Sequence, residues 1–314
     1  MNKKLFVIIT ALVFLFGAKP NKAQENDYFV RYPSLNQDGS KIAFVYQGDI
    51  WVKALDSDNE ARRLTIHEGY DQMPQWSPNG EEIAFTSDRY GHSDVYVIGA
   101  DGNNTRRLTY HSTGDRISGW NSNDEVLFTT NRVFAQVEWE REIYKAALSG
   151  ETPQRVLDAV GHEPVRSPNQ RFIAFVRGSC RKEREAYSGP ANRDIWIYDT
   201  QNDEYIQITD YKGNDFQPRW AGNSSLYFIS SRNGKYNIFS IAIDQEGEKA
   251  GAVKPATQAG NMGIRYFDVS ANGNTLVYEK GTSIFVKQGA GQEAETLSLN
   301  LSRDYRYTPV QHKT

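Results

Sequence analysis

Polar and apolar positions alternate along this chain in short bursts that never settle into a helical period. KIAFVY from Lys41 and DIWVKA from Asp49 each read as a short strand, and turn-forming residues bound them. The turn and the burst after it recur six times: NQDGSKIAF from Asn36, SPNGEEIAF from Ser77, NSNDEVLF from Asn121, SPNQRFIAF from Ser167, AGNSSLYF from Ala221 and SANGNTLVY from Ser270. The following strand reads DIWV from Asp49, DVYV from Asp94, EIYK from Glu142, DIWI from Asp194, NIFS from Asn237 and SIFV from Ser283. A further column is RRLT at Arg62 and Arg106, QRVL at Gln154 and IQIT at Ile206, fading to KPAT at Lys254 and AETL at Ala294. Comparable positions return every 41 to 54 residues.

A period in this range, with several short strands per unit, predicts an all-β, six-bladed β-propeller of four-stranded antiparallel blades. The copies run from about Phe29 to about Ser298, and each terminal copy supplies its own inner and outer strand. The ring is therefore expected to close without strand exchange. AQVEWEREIYKAAL (Ala135–Leu148) contains the third-strand column and reads as loop, then strand.

Two ring columns are expected to pack between blades: Phe44, Phe85, Phe128, Phe175, Phe228 and Tyr278, then Trp51, Tyr96, Tyr144, Trp196, Phe239 and Phe285. Burying one such ring removes roughly 150–250 Å² from water, about 4–6 kcal/mol before entropy.

Composition agrees with sheet: aromatics make up 12% of the chain. A net charge of −3 gives no basic footprint, so no nucleic-acid partner is expected. Lys3 and Lys4 precede an apolar run from Leu5 to Ala18, and Ala23 offers a cleavage point. The run is shorter than the roughly 20 residues a spanning helix needs. Residues 1–23 therefore read as an export signal, 24–301 as the propeller, and 302–314 as a tail or the start of a linker. The expected location is the periplasm or cell envelope of a bacterium, with no membrane span after cleavage. Cys180 is the single cysteine, so no internal disulfide forms, and no His within ten residues supports a nucleophile.

No nucleophile elbow, H-E-x-x-H, phosphate-binding loop or C-x-x-C occurs, so no catalytic residue, cofactor or metal is expected. The loops joining an outer strand to the next inner strand gather His67, His111 and His162 with several acids on one face of the ring. His67 and His111 fall at equivalent register positions, which explains them without a metal. The candidate channel-mouth contacts are Tyr70, Asp71, Asp115, Arg116, Glu163, Asp215 and Arg265, whose mixed sign suits peptides without a strict sequence requirement. The long loop Arg177–Asp194, with its RGSCRKERE run, reads as solvated or as a docking point for another domain.

The repeat WSPNG…IAFTSDR…DVYV…RRLT (Trp76–Thr109) resembles the TolB-type propeller repeat. YPSLNQDGSKIAFVYQGDIWV (Tyr32–Val52) and AYSGPANRDIWIYD (Ala186–Asp199) resemble the first and fourth blades of the N-terminal propeller of tricorn protease-like serine peptidases. In that family the six-bladed propeller is followed by a seven-bladed one and by a Ser/His catalytic region around a PDZ-like domain, and the propellers gate peptides. No position here matches those catalytic motifs, so none is carried over. The resemblance implies a non-catalytic propeller that gates or channels oligopeptides towards downstream peptidase domains outside this chain. The alternative is a stand-alone TolB-like periplasmic propeller that binds a protein partner.

Overall fold

In a computed structural model, residues 28–57, 59–133, 141–289 and 291–301 are described. The segments expected from sequence to be an export signal (1–23) and a tail or the start of a linker (302–314) lie outside the described residues. Twenty-four strands form six separate four-stranded sheets. Blade one holds β1 (Val30–Leu35), β2 (Lys41–Tyr46), β3 (Asp49–Ala54) and β4 (Arg62–Arg63). Blade two holds β5 (Asp71–Trp76), β6 (Glu82–Ser87), β7 (Asp94–Gly99) and β8 (Arg106–Arg107). Blade three holds β9 (Arg116–Trp120), β10 (Glu125–Thr130), β11 (Glu142–Ala147) and β12 (Gln154–Arg155). Blade four holds β13 (His162–Arg166), β14 (Phe172–Arg177), β15 (Asp194–Asp199) and β16 (Glu204–Gln207). Blade five holds β17 (Asp215–Ala221), β18 (Ser225–Ser230), β19 (Asn237–Ala242) and β20 (Lys254–Pro255). Blade six holds β21 (Tyr266–Val269), β22 (Thr275–Lys280), β23 (Ser283–Gln288) and β24 (Glu295–Thr296). Every pairing within a blade is antiparallel, and there is no helix among the described residues.

Each repeated column has a structural cause. A threonine after the outer strand accepts the N–H of the second residue of the third strand. The pairs are Ile50–Thr65 at 2.9 Å, Val95–Thr109 at 3.0 Å, Ile195–Thr209 at 2.9 Å and Ile238–Thr257 at 2.9 Å. The bond satisfies a backbone donor at the point where the short outer strand stops pairing. In blades one and two the arginine two positions before that threonine reaches the acid opening the third strand, Arg63 to Asp49 at 2.5 Å and Arg107 to Asp94 at 2.8 Å. In the serine-led turns of blades two, four and six, Ser77, Ser167 and Ser270 accept the N–H groups of Glu82, Phe172 and Thr275.

The second strand alternates a large ring with a small residue, and this makes the blades stack. Ile42 and Phe44 face blade six, where Val277 and Ile284 share their cluster, while Ala43 and Val45 join Ile83 and Phe85 of blade two. Ala84 in turn meets Phe128 of blade three, and Ala174 meets Phe228 of blade five. The first ring column is buried throughout; in the second, Trp196 and Phe285 remain partly exposed. Tyr205 of the same blade's outer strand meets Phe175 edge-on at 6.1 Å.

The ring closes with the same bond that joins its other blades. The residue opening an inner strand, or one just before it, donates its N–H to the carbonyl preceding the third strand of the blade before. The bonds are Asp71 to Gly48, Asp115 to Ser93, Gly161 to Arg141, Asp215 to Arg193 and Ile264 to Tyr236, at 2.7–2.9 Å. Val30 to Thr282, at 3.1 Å, is the sixth and joins blade six to blade one. Each sheet keeps only its own four strands, so closure needs no strand exchange. Leu301 adds apolar cover at this seam, with Leu297 and Leu299 packed beside it.

A polar channel mouth over a closed axis

The inner strands carry a second repeat, invisible as a hydrophobic pattern. Tyr32, Met73, Glu163 and Gln217 all have φ between 52° and 55°, and each precedes a proline. In each case the residue and its proline together oppose one ring of the second strand: Phe44, Phe85, Phe175 or Phe228. Proline suits this bulge because it has no N–H to leave unpaired. A left-handed non-glycine residue costs energy, and surrounding contacts must hold it. Glu279 of blade six accepts the Tyr32 N–H at 3.2 Å, and Glu163 of blade four accepts that of Gln217 at 2.8 Å.

At this depth the axis is occupied. Gln75 of blade two donates to the Tyr266 hydroxyl at 3.0 Å, and Arg219 of blade five donates to the same oxygen at 3.2 Å. Tyr32 packs edge-on against the Tyr266 ring, 5.4 Å between centroids. Gln75, Arg219 and Tyr266 are all buried. Burial pushes the Tyr266 hydroxyl above its usual range, so it stays protonated and neutral. The mouth on the side of the inter-blade loops therefore has a floor.

The seven sequence-derived candidates divide sharply by exposure. Asp71, Asp115 and Asp215 have no solvent exposure. Each is held by an arginine that follows the second strand of its own blade: Arg89 at 2.7 Å, Arg132 at 2.6 Å and Arg232 at 2.7 Å. Those guanidiniums also lie over the ring columns, Arg89 above Phe85 and Tyr96, Arg132 above Phe128 and Tyr144, Arg232 above Phe228 and Phe239. An acid, an arginine and two rings thus form one repeated stack that locks the start of the inner strand to the end of the second.

Tyr70, Arg116 and Arg265 are exposed, and Glu163 is partly so. Two sectors of the mouth result. In the first, Tyr70 lies near Tyr32, Arg31 and Glu279, and Arg265 acts on the same Glu279 carboxylate. Arg31 binds that carboxylate at 3.0 Å. In the second, Arg116 stands near Arg141 and Lys182, and Lys182 binds Glu163. Sequence reading missed Arg31, Gln75, Lys182, Arg219, Tyr266 and Glu279. The X-Pro column at Tyr32, Met73, Glu163 and Gln217 was the available signal for the depth at which they meet.

The histidines do not converge. His67 accepts the N–H of Gly69 at 2.9 Å, His111 accepts that of Thr113 at 3.1 Å, and His162 is buried at the start of its inner strand. No group of three potential metal ligands occurs among the described residues. Among them, too, no helix is long and apolar enough to cross a membrane.

Comparison with known proteins agrees with this architecture. The chain is 25% identical over 290 residues to the putative tricorn protease homolog 2 of Streptomyces coelicolor, which covers 87% of this chain and 23% of the relative. It is 28% identical over 233 residues to the Tol-Pal system protein TolB of Francisella tularensis subsp. mediasiatica, covering 70% of this chain and 50% of TolB. The crystal structure of the tricorn protease superposes with a TM-score of 0.74 at 19% identity, over 88% of this chain and 27% of that one. The chain thus spans about a quarter of its tricorn relative and half of TolB. A family model, the tricorn protease N-terminal beta propeller domain, matches residues 27–293, and the chain belongs to that family.

Proposed function

We propose that this chain is the non-catalytic, substrate-admitting propeller of an exported tricorn-like peptidase, handing oligopeptides to catalytic domains outside the chain. The observation that carries the reading is the one-sided mouth. The accessible candidates Tyr70, Arg116, Glu163 and Arg265 surround an entrance whose floor is the Tyr266 hydroxyl between Gln75 and Arg219. Peptides bind at this rim, and passage along the axis requires Tyr266 to leave both donors. Asp71, Asp115 and Asp215 act behind the rim by fixing the strands that carry it.

The test is photo-crosslinking with short peptides bearing a diazirine, read by mass spectrometry. Adducts on the loops around Tyr70, Arg116, Glu163 and Arg265 are expected. Adducts confined to the opposite, turn-rich face, or none at all, overturn the reading.

The closed axis also favours a second reading. A propeller with a floor suits a protein that docks on its mouth as well as a peptide that passes through it, and the likeness to TolB supports a periplasmic protein partner. The native mass separates the two. Detection of the protein in its own cells at several times the mass of this chain supports the peptidase, and a species near 35.7 kDa less its signal supports the stand-alone binder.

A further inference from the structure

Two arginine side chains stand at one sector of the mouth with no ion pair among the described residues. Arg116 opens the inner strand of blade three, and Arg141 precedes that blade's third strand. Neither side chain has a hydrogen-bond or ion-pair partner among the described residues. The Arg141 carbonyl accepts from Gly161 at the entrance to blade four, which places Arg141 at the seam between the two blades. On the inner strand of blade four the inserted loop brings Lys182, bound to Glu163 and lying over Phe216 of blade five, while Arg193, whose carbonyl accepts from Asp215, stands at the next seam.

These charges feel one another. Burial first, then Arg116, lowers the Arg141 guanidinium, and Asp115 opposes the shift. Burial first, then Arg193 and Arg219, with Glu183 opposing and Arg116 adding, holds the Lys182 ammonium well below its usual range, although 34% of its side chain still reaches solvent. Cations that depress one another are held together at a cost, and a bound anion relieves it.

An independent observation falls at the same place. The apolar cluster joining blades three and four is the smallest of the five, with only Ile143, Leu157, Ile173 and Phe175 as buried members. Elsewhere, inner strands are tied to the preceding blade by side chains as well: Trp120 to the Gln75 carbonyl at 2.9 Å, Trp220 to the Val165 carbonyl at 3.3 Å, and the Leu35 N–H to Asp268 at 2.8 Å. The lightly packed seam and the Arg116–Arg141 pair coincide.

We propose that the mouth between blades three and four is a binding site for peptide segments rich in Asp and Glu side chains, held by Arg116 and Arg141 across from Lys182. This rests on the peptide-binding reading above and adds a charge preference to it. A carboxylate settling between the two arginines accepts hydrogen bonds from both and neutralises the cluster from the solvent side. Glu163 keeps Lys182 and the Gln217 backbone in place and leaves the outer arginines for the ligand.

Three fluorescent peptides of equal length, acidic, neutral and basic, all C-terminally amidated so that only side chains supply carboxylates, test this by anisotropy with the full chain. The acidic peptide is expected to bind about tenfold or more tighter than the neutral one, with the advantage fading as salt rises. The double variant R116A/R141A should bind acidic and neutral peptides alike. K41A, on the opposite face, should match the wild type. R116E/R141E should turn the preference towards the basic peptide, which a misfolded protein would not do. Equal binding of all three peptides by the wild type overturns the charge preference and leaves the peptide reading standing. Acidic-peptide binding unchanged in R116A/R141A overturns the placement.

Discussion

Gln75 and Arg219 come from opposite blades of the ring and share one acceptor, the Tyr266 hydroxyl, at 3.0 and 3.2 Å. No local feature of the chain announces this, since Gln75 and Tyr266 stand 191 positions apart. Yet it decides whether the axis is open.

Tyr266→Phe removes that acceptor and leaves two buried donors short of a partner. The expected loss is about 1–3 kcal/mol in urea denaturation, with faster amide exchange in β5 and β17. Unchanged stability with unchanged exchange would mean that the three side chains do not hold one another.

Asp71→Ala leaves Arg89 with its rings but no carboxylate. A loss of about 3 kcal/mol is expected, with a similar cost for Asp115→Ala and Asp215→Ala. Chemical denaturation checks this. If any of the three were instead a direct peptide contact, its alanine variant would lose binding at unaltered stability.

Asp194 and Asp215 make stability depend on pH in an uncommon direction. Burial raises both, Asp215 adds to the rise at Asp194, and Arg232 opposes it at Asp215, leaving each at about 6 against an ordinary 3.8. The folded state thus holds protons that the unfolded state has released. Its stability falls as pH rises from about 4 to about 6 and stays lower above that. Asp194→Asn should melt higher than the wild type at about pH 7.5, and the gain should vanish near pH 4. A gain of equal size at both pH values would rule out titration as its cause.

Gly178 begins the inserted loop of blade four at φ 118°, where a Cβ would collide with the Asn192 carbonyl oxygen. Gly178→Ala should therefore loosen the loop that covers Cys180, which is 4% exposed. The wild-type thiol should react slowly with a disulfide reagent and the variant thiol quickly. Equal rates would show that the loop does not shield Cys180.

The repeat columns made the blades legible in the sequence, because each column is a local device: a ring on the second strand, a threonine after the fourth, a serine in the turn. The site was legible only in outline. Asp71, Asp115 and Asp215 sit at loop ends where exposure is expected, but Arg89, Arg132 and Arg232 draw them inwards. That arginine follows the second strand in three blades and could have been matched to the acid by register. Trp196 and Phe285 stay partly exposed because burial depends on the neighbouring blade as well as on the column. Tyr266, Lys182 and Glu279 belong to no column, and only closure of the ring brings them to the mouth.

The sixth seam, Val30 to Thr282, repeats the bond found at the other five, and the Tyr28 hydroxyl reaches the Leu301 carbonyl at 3.4 Å. The ring thus has no built-in first blade. A circular permutant that links Leu301 to Tyr28 and opens instead at the exposed Gly260–Met262 turn should fold to the same propeller, so the order in which blades are synthesised is separable from the order in which they stand.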